Sequence, residues 1–286
     1  MDPDDHQELA RSSRFGRRRL LLGAGAVAGA GALDAFALEP AWLAVTRHEV
    51  SVPGLPRALE GLQIAQITDA HLKAMGRVER AIVDTVRRGQ IQLVVLTGDI
   101  VDRPAGLAVL AELCTGLREA GAAIVASLGN WEHWGGFTAL GLAREYERLG
   151  ARLLVDEAAV VAGLIVTATD DGYAGAPRWD RTLASLGAVA GSGAPRLLLT
   201  HSPAMFDRVP SEAPRFDLAL AGHTHGGQVR LGPWAPLVPP GSGRYVQGFY
   251  DTPAGRGYVS RGTGTSIVPA RFLCRPELPV FRLARA

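Results

Sequence analysis

The sequence predicts an α/β fold, and two regularities carry that prediction. Short apolar runs of strand length alternate with longer segments that have the length and pattern of amphipathic helices. In the first half of the chain this order implies parallel strands joined by helical crossovers. The tail from Gly222 is richer in Gly, Pro and short β-like pieces, which predicts loops and antiparallel strands that finish a mixed sheet.

Each element is predicted from its own local pattern. Helices are expected at 77–88, 104–120 and 136–149, with Gly121 and Gly150 at positions where helices commonly stop. Turn or polar residues closely follow six apolar runs, which are therefore interpreted as buried strands. These runs are Leu62–Ile67, Leu93–Leu96, Ala123–Leu128, Leu164–Ala168, Leu197–Leu199 and Leu218–Leu220. The β-like pieces of the tail are Gly257–Arg261 and Leu278–Leu283.

Composition excludes some function classes. Of 286 residues, 47% are apolar, which allows a sizeable core and excludes disorder on compositional grounds. A net charge of +2 is too small for a polyanion binder, so no nucleic-acid partner is expected. Cys114 and Cys274 form no CxxC motif. A disulfide between them and two unpaired buried thiols both stay open.

The N-terminus has the order of an export signal. Arg17 to Arg19 precede the uncharged stretch Leu20–Leu33, and Ala35 to Ala37 follow as a cleavage candidate. The paired arginines resemble a twin-arginine signal, which exports folded proteins. The apolar stretch is short for a membrane span of ~20 residues. We therefore predict a leader at 1–37, a single domain at 38–286, and export to the periplasm or cell envelope; an uncleaved N-terminal anchor is the alternative.

Polar residues follow five of the predicted strands, at the point where each strand ends. They are Asp69 and His71, then Asp99, then Asn130, then His201, and finally His223 and His225. In an open α/β sheet, ligands bind just beyond the carboxyl ends of the strands, so these groups are expected to converge. Asp69 and His71 are two residues apart, as are His223 and His225, and in extended chain such pairs point the same way.

Imidazoles and carboxylates gathered in one cavity indicate a metal site. Taken singly, a strand-end Asp or His is usually a turn or cap residue, but their presence at successive strand ends is not explained that way. The two ligand types together suit divalent first-row metals. The candidates are too many for one tetrahedral ion. Two ions ~3.5–4 Å apart, bridged by one carboxylate, fit the number better and are the usual apparatus of phosphoester hydrolysis.

Five sequence blocks resemble a known family. "TDAH", "GDIVD", "GN", "THSP" and "GHTHGGQ", in that order, are similar to the signature blocks of calcineurin-like metallophosphoesterases. The similarity runs from about Trp42 to the C-terminus. "GHTHGGQV", "YVSRGTGTS" and the leader resemble most closely the exported bacterial branch of YkuE- and YaeI-type phosphoesterases. The resemblance implies a four-layer α/β/β/α sandwich of two mixed sheets flanked by helices.

The resemblance also implies roles for the seven polar residues. One ion would be held by Asp69, His71 and His225, and the other by Asn130, His201 and His223, with Asp99 bridging the two. Mn, Fe and Zn all suit these ligands. A hydroxide shared by the ions would hydrolyse a phosphodiester or pyrophosphate, on a membrane lipid or another cell-envelope compound, with peripheral membrane association. A phosphomonoesterase and a non-catalytic metal-dependent binding protein of the envelope are the alternatives.

The chain departs from the family pattern at Trp131. Most members have a histidine there, which protonates the leaving oxygen, and such general acids are typically worth 10²–10⁴-fold. The similar UDP-diacylglucosamine pyrophosphohydrolases also lack it. Three interpretations stay open: His133 replaces the acid, the leaving group needs none, or the protein is a weak or non-catalytic metal binder.

Four other residues are candidates for supporting roles. Trp131 and Trp134 either wall an apolar or ring-bearing substrate or pack over the mouth of the site. Arg244 is a candidate contact to a phosphate or sugar. Asp102 either hydrogen-bonds a metal ligand or caps a helix.

Overall fold

The predicted strands lie in two six-stranded sheets. A computed structural model describes Arg19, residues 22–189 and residues 193–286. The strands of the first sheet are β1 (Ala44–Val52), β2 (Gln63–Ile67), β3 (Leu93–Thr97), β4 (Ala123–Ser127), β5 (Arg152–Leu153) and β12 (Glu277–Arg285). Those of the second sheet are β6 (Glu157–Val161), β7 (Leu164–Ala168), β8 (Arg196–Leu199), β9 (Phe216–Ala221), β10 (Gly248–Thr252) and β11 (Gly255–Val259).

Both sheets are mixed around a parallel centre. The first has the order β1-β12-β2-β3-β4-β5, and β2 to β5 are parallel. The second has the order β10-β11-β9-β8-β7-β6, with β7, β8, β9 and β11 parallel and the two outer strands antiparallel. The carboxyl ends of the central strands therefore gather at one edge of each sheet.

The tail strands differ from the expectation in two ways. They finish both sheets, because β10 and β11 join the second sheet and β12 enters the first between β1 and β2. They are also only partly antiparallel. β11 is parallel to β9, and β12 is parallel to β1 but antiparallel to β2. β12 lies between β1 and β2, which run in opposite directions. It is therefore parallel to one of them and antiparallel to the other.

The helices lie close to their predicted positions: the first ends one residue later, and the other two start later and end one residue earlier. They are α1 (Arg77–Gly89), α2 (Leu107–Glu119), α3 (Asn130–Trp134), α4 (Ala139–Arg148) and α5 (Trp179–Val189). Before α2, Pro104–Gly106 form a separate 3₁₀ turn. The Thr138 side chain caps α4 by accepting a hydrogen bond from Gly141 N, so the helix predicted over 136–149 starts later. The short α3 and the helix α5 had no counterpart among the predicted elements.

Three apolar clusters define the layers. Ile64 and Val95 of the first sheet share a cluster with Val166, Leu199 and Leu220 of the second, so the two sheets pack face to face. On the outer side of the first sheet, Ile82 of α1 and Leu113 of α2 cover it. On the outer side of the second, Leu186 of α5 packs with Leu198 and Phe206. The implied four-layer α/β/β/α sandwich is confirmed.

The N-terminal helix extends beyond the predicted leader. Leu22–Ala41 form one helix of 20 residues, long and apolar enough by composition to cross a membrane, with 11% of it buried. The predicted boundary after Ala37 falls inside it. The buried Glu39 accepts hydrogen bonds from Leu273 N and Cys274 N, which tie this end to the domain. The paired Arg17 and Arg18 lie outside the described residues, and the division into leader and domain stays a prediction.

The two cysteines are free and buried in different parts of the fold. Cys114 lies on α2, and Cys274 lies in the loop that contacts Glu39. Of the two alternatives left open by the sequence, unpaired buried thiols are the one that the structure shows.

Candidate metal centre

The seven candidate ligands converge, because five central strands from both sheets end at the same place. β2, β3 and β4 lead to Asp69 and His71, Asp99, and Asn130, while β8 and β9 lead to His201, and to His223 and His225. All seven side chains are buried. The site thus lies where the carboxyl edges of two packed sheets meet, as the strand-end rule predicts.

The ligand atoms form two groups. Asp69, His71 and His225 have candidate ligand atoms within 4.8 Å of one another, and so do Asp99, His201 and His223. We name these the His71 group and the His201 group. Asn130 joins the second, since its Oδ1 lies 3.1 Å from His201 Nε2 and 2.9 Å from His223 Nδ1.

Asp99 lies between the two groups. Its Oδ2 is 3.2 Å from His201 Nε2 and 3.9 Å from His71 Nε2, while its Oδ1 accepts the backbone N–H of Trp131 at 2.8 Å. One carboxylate oxygen therefore reaches both groups, and the other is held in place by the main chain. The geometry matches the bridging role that the family resemblance implies.

Backbone strain is concentrated at these residues. Eleven non-glycine residues of the described chain have positive φ, and five of them are candidate ligands: Asp69, His71, Asp99, His223 and His225. Left-handed backbone is costly for such residues and persists where the surrounding structure imposes it, commonly at functional sites. The expectation of extended chain at the two-apart pairs is wrong. His223 and His225 turn to different groups, because the strained turn between them separates their side chains.

The ring tautomers can be assigned from partners that only accept. His71 Nδ1 donates to Asp102 Oδ1 at 2.6 Å, His201 Nδ1 to Thr97 O at 2.9 Å, and His223 Nε2 to Pro240 O at 2.6 Å. In a neutral imidazole the second nitrogen is then an acceptor, and it faces the centre. Outer partners of this kind orient metal-binding histidines. For Asp102, hydrogen bonding to a ligand is the alternative that the structure shows.

Facing acceptors are the clearest sign that a cation fits. His71 Nε2 lies 3.2 Å from His225 Nε2, and His201 Nε2 lies 3.2 Å from His223 Nδ1. The remaining ring nitrogen of His225, Nδ1, is buried without a partner. In the neutral tautomers assigned above, His201 Nε2 and His223 Nδ1 are both acceptors, and at this separation they repel each other unless a cation stands between them. The imidazole, carboxylate and amide donors are those that divalent first-row metals prefer.

The local potential also favours a cation. Burial raises the pKa of Asp69 to about 6. Burial lowers the pKa of His225 well below its ordinary value, and neighbouring His71 and Arg271 add to this. Burial also disfavours a charged His201, yet the carboxylate of Asp99 raises its pKa well above the ordinary value. The raised pKa of His201 shows that the buried carboxylate of Asp99 favours a positive charge beside it.

Glu132 is a site residue that the sequence reasoning missed. Its buried carboxylate accepts the backbone N–H groups of Asp99, Ile100, Val101 and Gly129, at 2.7 to 3.2 Å. It thereby holds the turn that contains Asp99 against the start of α3, where Asn130 lies. A signal was present, because a glutamate three residues after Gly129 fits a capping box at a helix start.

Two glycines allow the chain to approach the ligands closely. A Cβ at Gly129 would lie 2.4 Å from Asp99 Oδ1, and one at Gly222 would lie 2.0 Å from Thr68 Oγ1 and 2.5 Å from Asp69 Oδ2. A side chain at either position would displace a carboxylate of the centre. These contacts explain the glycine in the "GN" and "GHTHG" blocks.

Aromatic rings border the centre from one group to the other. The Trp131 ring lies 5.7 Å from that of His71 and 5.4 Å from that of Trp134. Trp134 in turn contacts Tyr173, whose ring lies 5.5 Å from His223. We call Trp131, Trp134 and Tyr173 the aromatic rim. Trp134 is 55% exposed and Tyr173 42% exposed, so the rim is open to an incoming molecule.

His133 lies beside this rim and is held by a carboxylate. Its Nε2 donates to Asp170 Oδ1 at 2.7 Å. Asp170 also accepts the N–H groups of Asp171 and Ala176, so its position is fixed. The hydrogen bond to Asp170 raises the pKa of His133, against the effect of partial burial.

Arg244 lies apart from the ligand groups in its hydrogen bonding. Its guanidinium donates to Tyr245 Oη at 3.1 Å and to Asp251 O at 3.4 Å, and it is 3.6 Å from Asp207. Its side chain is 60% exposed. Its role in substrate binding stays a prediction.

Comparison with known proteins agrees with this geometry. The profile of the family described as "Calcineurin-like phosphoesterase" matches residues 62–227, the segment that contains all seven candidate ligands. The chain belongs to this family. The family's activity makes the protein a metallophosphoesterase, and the two ligand groups imply divalent metals.

Three relatives show how far this similarity extends. The uncharacterized metallophosphoesterase YkuE of Bacillus subtilis (strain 168) is 30% identical, over 94% of this chain and 98% of its own. The phosphodiesterase YaeI of Escherichia coli (strain K12) is 40% identical over 91 residues, 31% of this chain and 32% of its own. The protein TT1561 of Thermus thermophilus superposes with a TM-score of 0.50 at 13% identity, over 71% of this chain and 90% of its own, which shows a shared fold.

Proposed function

We propose that this metallophosphoesterase uses two divalent ions to hydrolyse a phosphodiester or a pyrophosphate. The observation that carries the proposal is the position of Asp99 Oδ2 between two complete ligand groups. Asp69, His71 and His225 would hold one ion, and His201, His223 and Asn130 the other. When bound, such a pair supplies an acidified water and neutralises the phosphoryl oxygens.

The protein's own contribution to bond cleavage is a proton. As the bond from phosphorus to the leaving oxygen breaks, protonated His133 would transfer a proton to that oxygen from Nδ1, because Nε2 is held by Asp170. Asp170 raises the His133 pKa, so more of the imidazole is in the acid form near neutral pH. His133 stands two residues after Trp131, where most of the family has the acid.

The His133–Asp170 pair lies on the side of the His201 group. Asp170 belongs to the segment that carries Tyr173, whose ring contacts His223, and Asp171 Oδ1 accepts the Ser202 hydroxyl next to His201. A leaving group bound on this side would meet His133. The aromatic rim favours substrates that have an apolar or ring-bearing part beside the phosphoryl group.

The test combines metal content with substrate choice. The purified chain is expected to bind two equivalents of Mn²⁺ by elemental analysis and to hydrolyse bis(p-nitrophenyl) phosphate or a pyrophosphate faster than p-nitrophenyl phosphate. Faster turnover of the monoester would make it a phosphomonoesterase. Two bound ions with no turnover of any of these esters would leave a metal-dependent binding protein in place of the enzyme.

We also propose export by the twin-arginine route. The support is the sequence order of paired arginines, apolar stretch and small residues. Replacing Arg17 and Arg18 with lysine should retain the precursor in the cytoplasm, as measured by cell fractionation. Unchanged export of this variant would contradict the proposal.

A further inference from the structure

Three segments beside the metal centre are joined to one another and expose large apolar side chains. They are the N-terminal helix, the loop 228–237 and the loop 266–274. Arg271 N donates to Ala35 O of the helix at 2.8 Å, and Phe272 N donates to Gln228 O at 3.0 Å. Gln228 Nε2 also donates to Val268 O at 2.7 Å. Hydrogen bonds therefore hold the three segments as one unit, which we call the apolar face.

The exposure on this face is large. Ile267 is 92% exposed, Leu237 68%, Trp234 61% and Leu273 60%. Single exposed apolar residues are normal on a soluble protein, but several on joined segments mark an interaction surface. The helix adds Phe36, which is 59% exposed, and Trp42, directly after the helix, is 58% exposed.

Backbone strain holds two of these side chains outward. Ile267 has φ 60° and Leu273 has φ 52°, and both are exposed. Positive φ is a marked outlier for a β-branched residue such as Ile267, and it persists only where the surrounding structure imposes it. Polar groups of the two loops bond to each other instead, as the Gln228–Val268 and Phe272–Gln228 contacts show. Ile267 and Leu273 are therefore exposed in a backbone conformation that costs free energy.

The N-terminal helix identifies what covers the face. Residues 22–33, which precede the contacts of Ala35 and Glu39 with the domain, are almost entirely exposed and extend about 18 Å, enough to enter the hydrocarbon core of a bilayer. Residues 22–33 carry no charge. Trp42 and Trp234 are of the residue type enriched at membrane–water interfaces, and Arg275 stacks on Trp42 at 4.0 Å. A helix of this length and an aromatic border suit a lipid surface better than a protein partner.

We propose that the apolar face docks on a lipid bilayer in the chain that keeps its N-terminal segment, the uncleaved anchor that the sequence left open, with residues 22–33 inserted and the two loops at the level of the headgroups. This orientation places a cavity of about 400 Å³ at the membrane surface. Phe36 and Ala41 of the helix line the cavity on one side, and Lys73, Arg77 and the candidate ligand His71 line it on the other. His71 of the metal centre then faces the headgroup layer through a cavity lined by the charged residues Lys73, Arg77 and Glu79.

The test uses the full chain and vesicles of phosphatidylglycerol and phosphatidylcholine that contain a brominated phosphatidylcholine. Bromine quenches tryptophan fluorescence only at contact range. The Trp42→Phe and Trp234→Phe variants should each lose part of the fluorescence that the brominated vesicles quench. The matched control is Trp179→Phe on α5, whose quenched fluorescence should equal that of the wild-type protein.

Three results would overturn the docking proposal. Equal quenched fluorescence in wild type, Trp42→Phe and Trp234→Phe would show that the face does not meet lipid. A concentration-dependent blue shift without vesicles, lost in Trp234→Phe, would assign the face to a second copy of the chain. Equal loss of quenching in Trp179→Phe would show non-specific adsorption. Docking does not depend on the proposed hydrolysis, because turnover of bis(p-nitrophenyl) phosphate in solution is measured separately.

Discussion

The two ligand groups hold similar side chains but orient them by different means. In the His71 group, His71 is oriented by the carboxylate of Asp102. In the His201 group, both imidazoles donate to main-chain carbonyls, His201 to Thr97 O and His223 to Pro240 O. The orientation of His71 therefore depends on a side chain that a substitution can remove, whereas the orientation of His201 and His223 depends on backbone carbonyl groups.

The surroundings of the two groups differ as well. The His201 group lies beside the segment that carries Asp170 and Tyr173, and through it beside His133. Of the His71 group, His71 lines the cavity that is also lined by Lys73, Arg77 and Glu79. In the proposed mechanism, the His71 side would receive the substrate's charge and the His201 side would supply a proton to the leaving group.

Removing the residue that both groups share should have the largest effect. In Asp99→Ala, both groups lose the oxygen that lies between them, so we expect a loss of turnover beyond the roughly 10–100-fold typical of an outer-shell partner. Turnover of bis(p-nitrophenyl) phosphate and bound Mn²⁺ are the measurements. Asp84→Ala, which removes an exposed carboxylate on α1, is the control and should behave as wild type. If Asp99→Ala kept both ions and its turnover, Asp99 would not couple the groups.

His133, the proposed proton donor, should be the next most sensitive position. In His133→Ala, turnover of a diester with an alkoxide leaving group is expected to fall by about 10²–10⁴-fold, the usual contribution of a general acid. An ester with a p-nitrophenolate leaving group needs little protonation and should be nearly unaffected. Leu140→Ala, an exposed position on α4, serves as control. Equal losses on both esters would mean that His133 acts on structure and not as an acid.

The positions of the seven candidate ligands could be predicted because each of them follows a buried parallel strand. In the sequence, each buried strand is followed by a turn and a polar residue. The parallel topology then brings the ends of these strands together. The division into groups came only with the family resemblance. From the residues alone, an extended chain predicts that His223 and His225 point the same way. A turn with positive φ separates them instead, and no pattern in the sequence reveals that turn.

The elements that were missed lack such a pattern. β1 pairs only with β12 at the edge of the first sheet, and most of its residues are exposed or half-buried, so it has no continuous apolar run. Glu132 acts through the backbone N–H groups of Asp99, Ile100 and Val101, which are far away in sequence. Contacts of this kind depend on tertiary structure, and local pattern does not encode them.

Weakening one group alone should give a smaller and metal-dependent effect. In Asp102→Asn, His71 loses its charged partner while the backbone partners of His201 and His223 stay. We expect about 10–100-fold weaker Mn²⁺ binding at one site, measured by titrating the metal-free protein. Excess Mn²⁺ should restore turnover, which it cannot do for Asp99→Ala. Loss of both ions together in Asp102→Asn would show that the groups do not bind independently.

The smallest effect is expected at Asp170, and it should depend on pH. The Asp170 hydrogen bond raises the pKa of His133 above its ordinary value of 6.5. The acid form of His133 is the active one, so turnover of an alkoxide ester falls as pH rises through this raised pKa. In Asp170→Asn the pKa is lower, and the falling limb of the kcat profile moves to lower pH. Below both pKa values the two proteins should have similar kcat, and above them the variant is slower by a constant factor. His133→Ala should show no such limb, so a limb that persists there, or one that stays in place in Asp170→Asn, would assign the titration to another group.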